Sequence, residues 1–554
     1  MPDNRTLADQ LKMFADLSEI KGENPFRLIA YRRAAETLEE LDEPVEQLVR
    51  EDRLTDVPGI GPGIAAALRE MVETGRWQAL DELQDEVPAT LLTMLDVPGI
   101  GTKSVARFYH ELGITDLVQL EARARQGDIR TLKGFGAKQE ARILNGIAFL
   151  NQRTGRLSIG TGVPAAEALV DLLKERLGVE ASIAGSVRRM CETVGNIDLV
   201  VATNEPDAIG PALEESGVVT EVAYAESTVV TGRHLSGVEL RVAVVDPSEY
   251  GNALLRWTGS RAFVTAFEEQ FGAEPKSATE AGVFEAHGLV PIPAELREPP
   301  DVIEQARSNK LPRLIALADI RGDLHLHSDW SDGHGTILEM ATAARDRGYE
   351  YLSISDHSGG LAIAHGVTIE RLREQWREIE RVNEQVPELR LLRASEVEVH
   401  LDGSLDFPDE VLAELDLVVA SLHSGLSRST EELTDRIVRV MRNPHVDIIA
   451  HPTGRIIERR PGGTYDWETV FKVALETGTA LEINANPARL DLRDEVARDA
   501  QQAGVLLVID TDAHDVRSLD LMRYGIGVAR RAGVEADGVL NTRPLSALLD
   551  WLRR

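Results

Sequence analysis

The sequence predicts a multidomain α/β protein with helical domains in front and a barrel-like α/β domain at the end. Three observations predict it. A length of 554 residues exceeds what one apolar core organises, so about three to five domains are expected. The segment Val57-Pro58-Gly59-Ile60-Gly61 recurs as Val97-Pro98-Gly99-Ile100-Gly101, each copy between stretches of helical apolar spacing. From residue 320 onward, short apolar runs bounded by turn signals alternate with helical patterns, the order expected of parallel strands wound into a barrel.

In the front third, Leu132-Lys133-Gly134-Phe135-Gly136 is a weaker third copy of the turn. Glycine permits the tight backbone turn, and the helix that follows offers free N–H groups able to cradle a DNA phosphate. Such contact is to backbone and carries no base sequence. A lone Gly-x-Gly between helices is ordinarily only a turn, so repetition is what points to DNA. The copies resemble helix-hairpin-helix motifs, with Gly59, Gly61, Gly99 and Gly101 as DNA-binding positions. Residues 24–35, Asn-Pro-Phe-Arg-Leu-Ile-Ala-Tyr-Arg-Arg-Ala-Ala, look like the first helical segment of the N-terminal domain of bacterial X-family DNA polymerases (PolX). Members with deoxyribose-phosphate lyase activity carry a Schiff-base Lys on the helix after the first hairpin. Ala67 stands there in this chain and Gly63 replaces a basic residue, so the resemblance implies a DNA clamp without lyase chemistry.

Residues 185–198, Gly-Ser-Val-Arg-Arg-Met-Cys-Glu-Thr-Val-Gly-Asn-Ile-Asp, resemble the same family's palm signature, and Thr258-Gly259-Ser260 its nucleotide-contacting turn. The resemblance implies an α+β nucleotidyltransferase palm and thumb, with Ser186, Arg189, Gly259 and Ser260 as nucleotide- or phosphate-binding residues. Nucleotidyl transfer needs clustered carboxylates that hold two cations against a triphosphate. Asn196 occupies the first carboxylate position, Asp198 follows on the same strand face, and Glu239 replaces an Asp at the third. Val264 and Glu268 stand where members often carry Asn and Arg. Asn offers an oxygen but no charge, and a displacement of roughly 1 Å, such as the extra methylene of Glu239 imposes, can cost about a hundredfold in rate. A weakened or inactive polymerase is expected. The competing expectation is an active gap-filling polymerase using Asp198, Glu239 and the Asn196 carbonyl, with Mg or Mn at the palm and a dNTP as partner.

Of the thirteen histidines, ten lie beyond residue 320. Strands are expected near 321–326, 349–355, 390–398, 415–421, 446–450, 479–484 and 504–510. His325 and His327 share one face of the first, with Asp332 after them. His357 follows the second, Glu396 lies on the third, His423 and His451 follow the fourth and fifth, and Asp512 and His514 follow the seventh. Strand ends on one rim are where α/β barrels place their chemistry. A lone histidine is more often a surface or satisfied core residue, and His110, His234, His287, His334, His365, His400 and His445 are left to that reading. The nine converging residues resemble the ligand set of the PHP (polymerase and histidinol phosphatase) domain. That domain is a distorted (β/α)7 barrel holding up to three metals, and none of its ligands is missing here. The resemblance implies manganese, while imidazole with carboxylate also suits Zn, Fe or Mg. Arg455 and Asn484 are candidates for phosphate contact.

The single cysteine, Cys191, excludes a disulfide framework and cysteine-based zinc sites. A net charge of −32 argues against a generally basic nucleic-acid surface. Of the cations, however, 51 are Arg and 9 Lys, and guanidinium suits bidentate phosphate contact. Acidity fits adaptation to high salt, where a Debye length of roughly 3 Å at 1 M screens distant carboxylates; GC-rich codon usage explains the Arg bias equally well. No signal peptide or membrane-length apolar run is present, which places the expected location in the cytoplasm, with the nucleoid.

These assignments divide the chain into 1–90 and 91–152 (hairpin domains), 153–247 (palm), 248–300 (thumb), 301–319 (linker) and 320–554 (PHP). The function they imply is metal-dependent 3'-5' exonuclease or phosphodiesterase action on DNA 3' ends in repair, the partner being primer-template, gapped or otherwise 3'-ended DNA. The alternatives are the active polymerase above, a small-molecule phosphatase of histidinol-phosphatase type, and a non-catalytic repair scaffold. Repeated hairpins disfavour the second and the complete ligand set the third.

Overall fold

The computed structural model describes residues 4–22, 25–41, 43–97, 99–115, 117–151, 156–224, 228–272, 275–360 and 366–553. Asn24, Pro98, His365 and the expected boundary at 152/153 lie outside them. The chain divides into two compact units, residues 1–154 and 155–554.

The first unit is helical. Helices Asn4–Lys21 and Pro25–Glu40 pack through Leu7, Leu11, Leu17 and Leu38, and the same apolar core continues through Leu68, Phe108 and Ile147. The stretches expected as two hairpin domains therefore share one core. All three turn copies close alike: Ile60 N donates to Val57 O at 3.1 Å, Ile100 N to Val97 O at 3.0 Å and Phe135 N to Leu132 O at 2.9 Å. Gly59, Gly99 and Gly134 sit at φ +88°, +85° and +91°, where a side chain would be strained. Gly61 and Gly101 then cap helices Pro62–Thr74 and Thr102–Leu112 with no side chain over the first N–H groups, and all four expected DNA-binding glycines are exposed. Ala67 is buried in the core, so no amine is offered there.

In the second unit, β1 (Leu157–Ser158) pairs with β3 (Thr193–Val194), while β2 (Glu180–Ile183), β4 (Asn196–Ala202), β5 (Val219–Tyr224), β6 (Val229–His234) and β7 (Glu239–Val245) form a sheet in the order β2-β4-β7-β6-β5. Strand alternation sends Ile197, Leu199 and Val201 to one face, against helix Ile159–Leu177, and Val200 and Ala202 to the other, against helix Tyr250–Thr258. Phe263, Phe267 and Phe284 centre a neighbouring helical cluster. Helix Val302–Arg307 joins that cluster through Val302 and Ile303, although it falls in the stretch 301–319 expected to be a linker.

The remaining strands are β8 (Gly322–Asp323), β9 (Tyr351–Ile354), β10 (Arg390–Glu398), β11 (Leu417–Ser421), β12 (Ile448–Ile449), β13 (Ala480–Asn484) and β14 (Leu507–Asp510), all parallel and each beside its neighbours in sequence. Beyond β8 and β14 the chain closes the ring: His327 N donates to Ala513 O at 2.8 Å and Asp512 N to His325 O at 2.9 Å. Parallel strands covered on both faces read as continuous apolar runs, which is why all seven were visible in the sequence. Leu324, Tyr351, Leu392, Val419, Ile448 and Val508 form one buried cluster with Leu548 of the final helix, Leu545–Leu552. Helix Met522–Ala532 lies so close to the first sheet's domain that a Cβ on Gly527 would meet Met190 Cε at 2.7 Å. No helix among the described residues is long and apolar enough to cross a membrane.

Candidate metal centre

All nine side chains expected at the barrel's C-terminal rim meet there, and Glu396 is their hub. Its Oε2 lies 2.7 Å from His357 Nδ1, 3.4 Å from His325 Nε2 and 3.6 Å from His327 Nε2. Its Oε1 lies 3.0 Å from His451 Nε2 and 3.3 Å from His423 Nε2. Asp512 Oδ1 is 3.1 Å from His327 Nε2 and 3.8 Å from His514 Nδ1. Asp332, on the loop after β8, places Oδ2 3.5 Å from both His357 Nε2 and His514 Nε2. Because β8 is shorter than expected, His325 and His327 also lie past a strand end. Two of the nine, His451 at φ +24° and Asp512 at φ +53°, hold backbone conformations that non-glycine residues rarely adopt, as functional sites often do.

The ligand atoms fall into three groups, each with every atom within 4.8 Å of the others: His327, Asp332, His357 and His514; His325, His327 and Asp512; His357, Glu396 and His423. Metal ions fit this arrangement. His325 Nε2, His327 Nδ1 and Glu396 Oε2 are buried and make no hydrogen bond, although partners surround them. An unsatisfied buried polar atom costs about 1–3 kcal/mol. Lone pairs that converge on a common centre, without pairing to one another, are what cation ligands present.

Electrostatics lead the same way. Burial opposes the charged form of Glu396 and Asp512, yet the surrounding imidazoles hold both well below the usual carboxylate range. Burial likewise opposes charging His357, His423 and His514, but Glu396, Asp332, Glu398 and Asp512 raise them to about 10, 9 and 9. Burial, with the charges of His357 and His514, pushes His327 down to about 3; burial with Arg489 does the same to His451. Buried carboxylates thus call for positive charge at the centre, which divalent cations would supply with the imidazoles neutral.

Three neighbours escaped sequence reasoning. Glu482 on β13 accepts from His325 Nδ1 at 2.6 Å and from the His451 backbone N–H at 2.5 Å; Glu398 on β10 accepts from His423 Nδ1 at 2.6 Å. Each pins one ring nitrogen and leaves the other for the centre, the usual outer support of a metal-bound imidazole. Arg489 is the third, its Nε 3.5 Å from Asp512 Oδ2. Arg455 does not fill the phosphate-contacting place expected of it: Nη1 is 2.8 Å from Glu192 Oε2, and Nη2 donates to the Leu490 carbonyl. Asn484 Nδ2 donates to Asp512 Oδ2 at 3.1 Å. Among the described histidines outside the rim, none enters the three groups; His110, for example, bonds the Ile20 carbonyl.

A separate cleft of about 490 Å³ is lined by Ser186, Arg189, Asn196, Asp198, Arg241, Gly259 and Ser260. Asn196 and Glu239 are in register on neighbouring strands, but Glu239 is exposed, while Asp198 is buried and accepts from Arg241 Nε at 2.7 Å. With its amide oriented to satisfy both groups, Asn196 also accepts from Arg241. Arg189 is 2.8 Å from Glu298 Oε1 and donates to Thr258 O at 2.6 Å; Ser260 Oγ donates to Glu298 O at 2.7 Å and caps the Phe263 N–H. Arg189 thus ties the first sheet's domain to the stretch that follows it, and Ser260 is engaged within that stretch, while Ser186 lines the cleft.

Two family models match the first unit: a helix-hairpin-helix domain over residues 2–77 and a SAM-like helix-hairpin-helix tandem over residues 91–148. Over 566 aligned positions, 98% of each chain, the protein is 37% identical to the DNA polymerase/3'-5' exonuclease PolX of Bacillus subtilis (strain 168). It is 31% identical over 234 positions, 40% of this chain and 89% of the relative, to a probable phosphatase of Thermoanaerobacter sp. (strain X514). A probable phosphatase of Syntrophotalea carbinolica is 28% identical over 242 positions, 42% of this chain and 95% of the relative. Both phosphatases match the C-terminal part.

Proposed function

The chain belongs to the PolX family of bacterial DNA polymerase/3'-5' exonucleases, and from that premise we propose that its PHP barrel removes nucleotides or blocked ends from DNA 3' termini in repair, while its palm polymerises weakly or not at all. The observation that carries this reading is the convergence of nine imidazole and carboxylate side chains on one pocket around Glu396. His325, His327, Asp332, His357, Glu396, His423, His451, Asp512 and His514 would hold the ions, with manganese favoured. Divalent ions bound there would activate water near neutral pH and offset charge on the leaving oxygen. Glu482 and Glu398 keep the rings of His325 and His423 facing inward. Asp332, the most open of the three ligand carboxylates together with its partner His514, forms the mouth through which a 3' end enters. The hairpin glycines hold the duplex by its phosphates, and no base sequence is selected.

At the palm, Arg241 supports the weakened reading. It supplies to Asp198 and Asn196 the positive charge that a pair of cations would bring to an intact carboxylate triad.

The test is a primer-template labelled at the primer 5' end, incubated with Mn²⁺ in the presence and absence of dNTPs. A ladder of shortened primers is expected in both, with little lengthening when dNTPs are present. A primer that stays full length in Mn²⁺ alone overturns the nuclease reading, and ready extension overturns the reading of the palm.

A further inference from the structure

A strap joins the metal centre to the palm. It leaves β13 at Asn484 and runs to Arg493, turning back so that Asn484 N donates to Asp491 O at 2.6 Å and Leu492 N to Glu482 O at 2.9 Å. From it Arg489 reaches the ligands: Nε lies 3.5 Å from Asp512 Oδ2, the side chain is 20% exposed, and Nη1 is buried without a hydrogen-bond partner. The palm clamps the strap from its other side. A Cβ on Gly160 would meet Pro487 Cβ at 2.6 Å. Palm residue Glu192 lies 2.8 Å from Arg455 Nη1 and 3.9 Å from Arg493 Nη2, and Arg455 Nη2 in turn donates to the Leu490 carbonyl. Leu490 sits at φ +44°, a conformation that a bulky side chain holds only where its surroundings enforce it.

A guanidinium beside a metal-facing carboxylate, with one buried nitrogen unpaired, has an open place for an acceptor. The planar fork of Arg fits two oxygens of one phosphate. We propose that Arg489 binds the scissile phosphate at the metal centre, and that Glu192, acting through Arg455 and the Leu490 carbonyl, positions it. The proposal rests on the hydrolytic reading above. Arg489 is then a catalytic residue and Glu192 a positioning residue. The palm contributes to nucleotide release without using its altered carboxylate set.

Full-length wild type, Arg489→Ala, Arg489→Lys, Glu192→Ala, Glu192→Gln and the double variant Arg489→Ala/Glu192→Ala, all loaded with Mn²⁺, test this. The readouts are inorganic phosphate affinity by calorimetry, manganese content, and kcat and KM for release of 3' nucleotides. Arg489→Ala is expected to lower kcat/KM about a hundredfold, the scale of losing one preorganised donor at a reacting oxygen, and to weaken phosphate binding with manganese content unchanged. Lys is expected to restore only part, because a point charge does not reproduce the fork. Glu192→Ala is expected to weaken phosphate binding about three- to tenfold, less than loss of the donor itself, with Glu192→Gln between it and wild type. Its effect disappears in the Arg489→Ala background, because Glu192 acts only through that residue. Unchanged phosphate affinity in Arg489→Ala, loss of manganese in that variant, or a Glu192→Ala effect that adds in full to it overturns the proposal. Phosphate binding is read without DNA, so a protein that binds phosphate through Arg489 yet leaves primers intact refutes the nuclease reading and the catalytic role of Arg489, while one that cuts primers with phosphate affinity unchanged in Arg489→Ala refutes this proposal alone.

Discussion

Glu396→Gln is expected to reduce release of 3' nucleotides by at least about a thousandfold, roughly 4 kcal/mol at 1.36 kcal/mol per tenfold, while the protein stays folded. Five imidazoles, those of His325, His327, His357, His423 and His451, lie within 3.6 Å of its two oxygens. No other side chain at the rim touches so many of the rest. Losing an outer support of a ligand costs roughly 10–100-fold in metal affinity or activity, and Glu396 belongs to the inner set itself. Gln keeps the shape and one acceptor oxygen but removes the charge around which the imidazoles gather. Nuclease rates, manganese content and a thermal melt on the same preparation check the expectation. A folded variant within tenfold of wild-type rate would show that Glu396 is not the hub.

Asn196→Asp combined with Glu239→Asp is expected to raise primer extension by about a hundredfold, the scale attached to a misplacement of roughly 1 Å at a reacting centre. The paired changes restore charge at the first position and chain length at the third, on strands already in register. Arg241, now bound to Asp198, then faces more than one carboxylate and can no longer neutralise the site alone. Extension rates with dNTPs and Mg²⁺ or Mn²⁺ provide the measurement. A wild type that already extends primers as fast as the double variant would show that Asn196 and Glu239 impose no handicap.

Much of the C-terminal architecture was legible because parallel barrel strands are buried on both faces, so that Leu417–Ser421 and Ala480–Asn484 stand out as apolar runs. The histidines were legible because they follow such runs, in a chain where that residue is otherwise sparse. Glu398 and Glu482 were not, because a strand carboxylate looks the same in sequence whether it faces a metal or a histidine two strands away. A signal did exist: Glu482 is a lone charge inside a wholly buried strand, and such a charge requires a partner. Arg489 and Arg455 could not be told apart, since both follow rim strands and only the path of the strap decides which guanidinium faces the ligands. The engagement of Arg189 by Glu298, more than a hundred positions away, is likewise a property of domain packing. The shared core of the hairpin domains was hidden for the same reason: periodicity marks each helix but not which helices bury each other.

Anomalous diffraction from crystals of the full chain soaked in Mn²⁺ locates the ions without reference to any activity. Peaks are expected inside the ring formed by His325, His327, Asp332, His357, Glu396, His423, His451, Asp512 and His514, with a carboxylate shared between neighbouring ions. Crystals that bind Mn²⁺ only at the palm or on the surface, leaving that ring without a peak, would contradict the assignment of these residues to a metal centre.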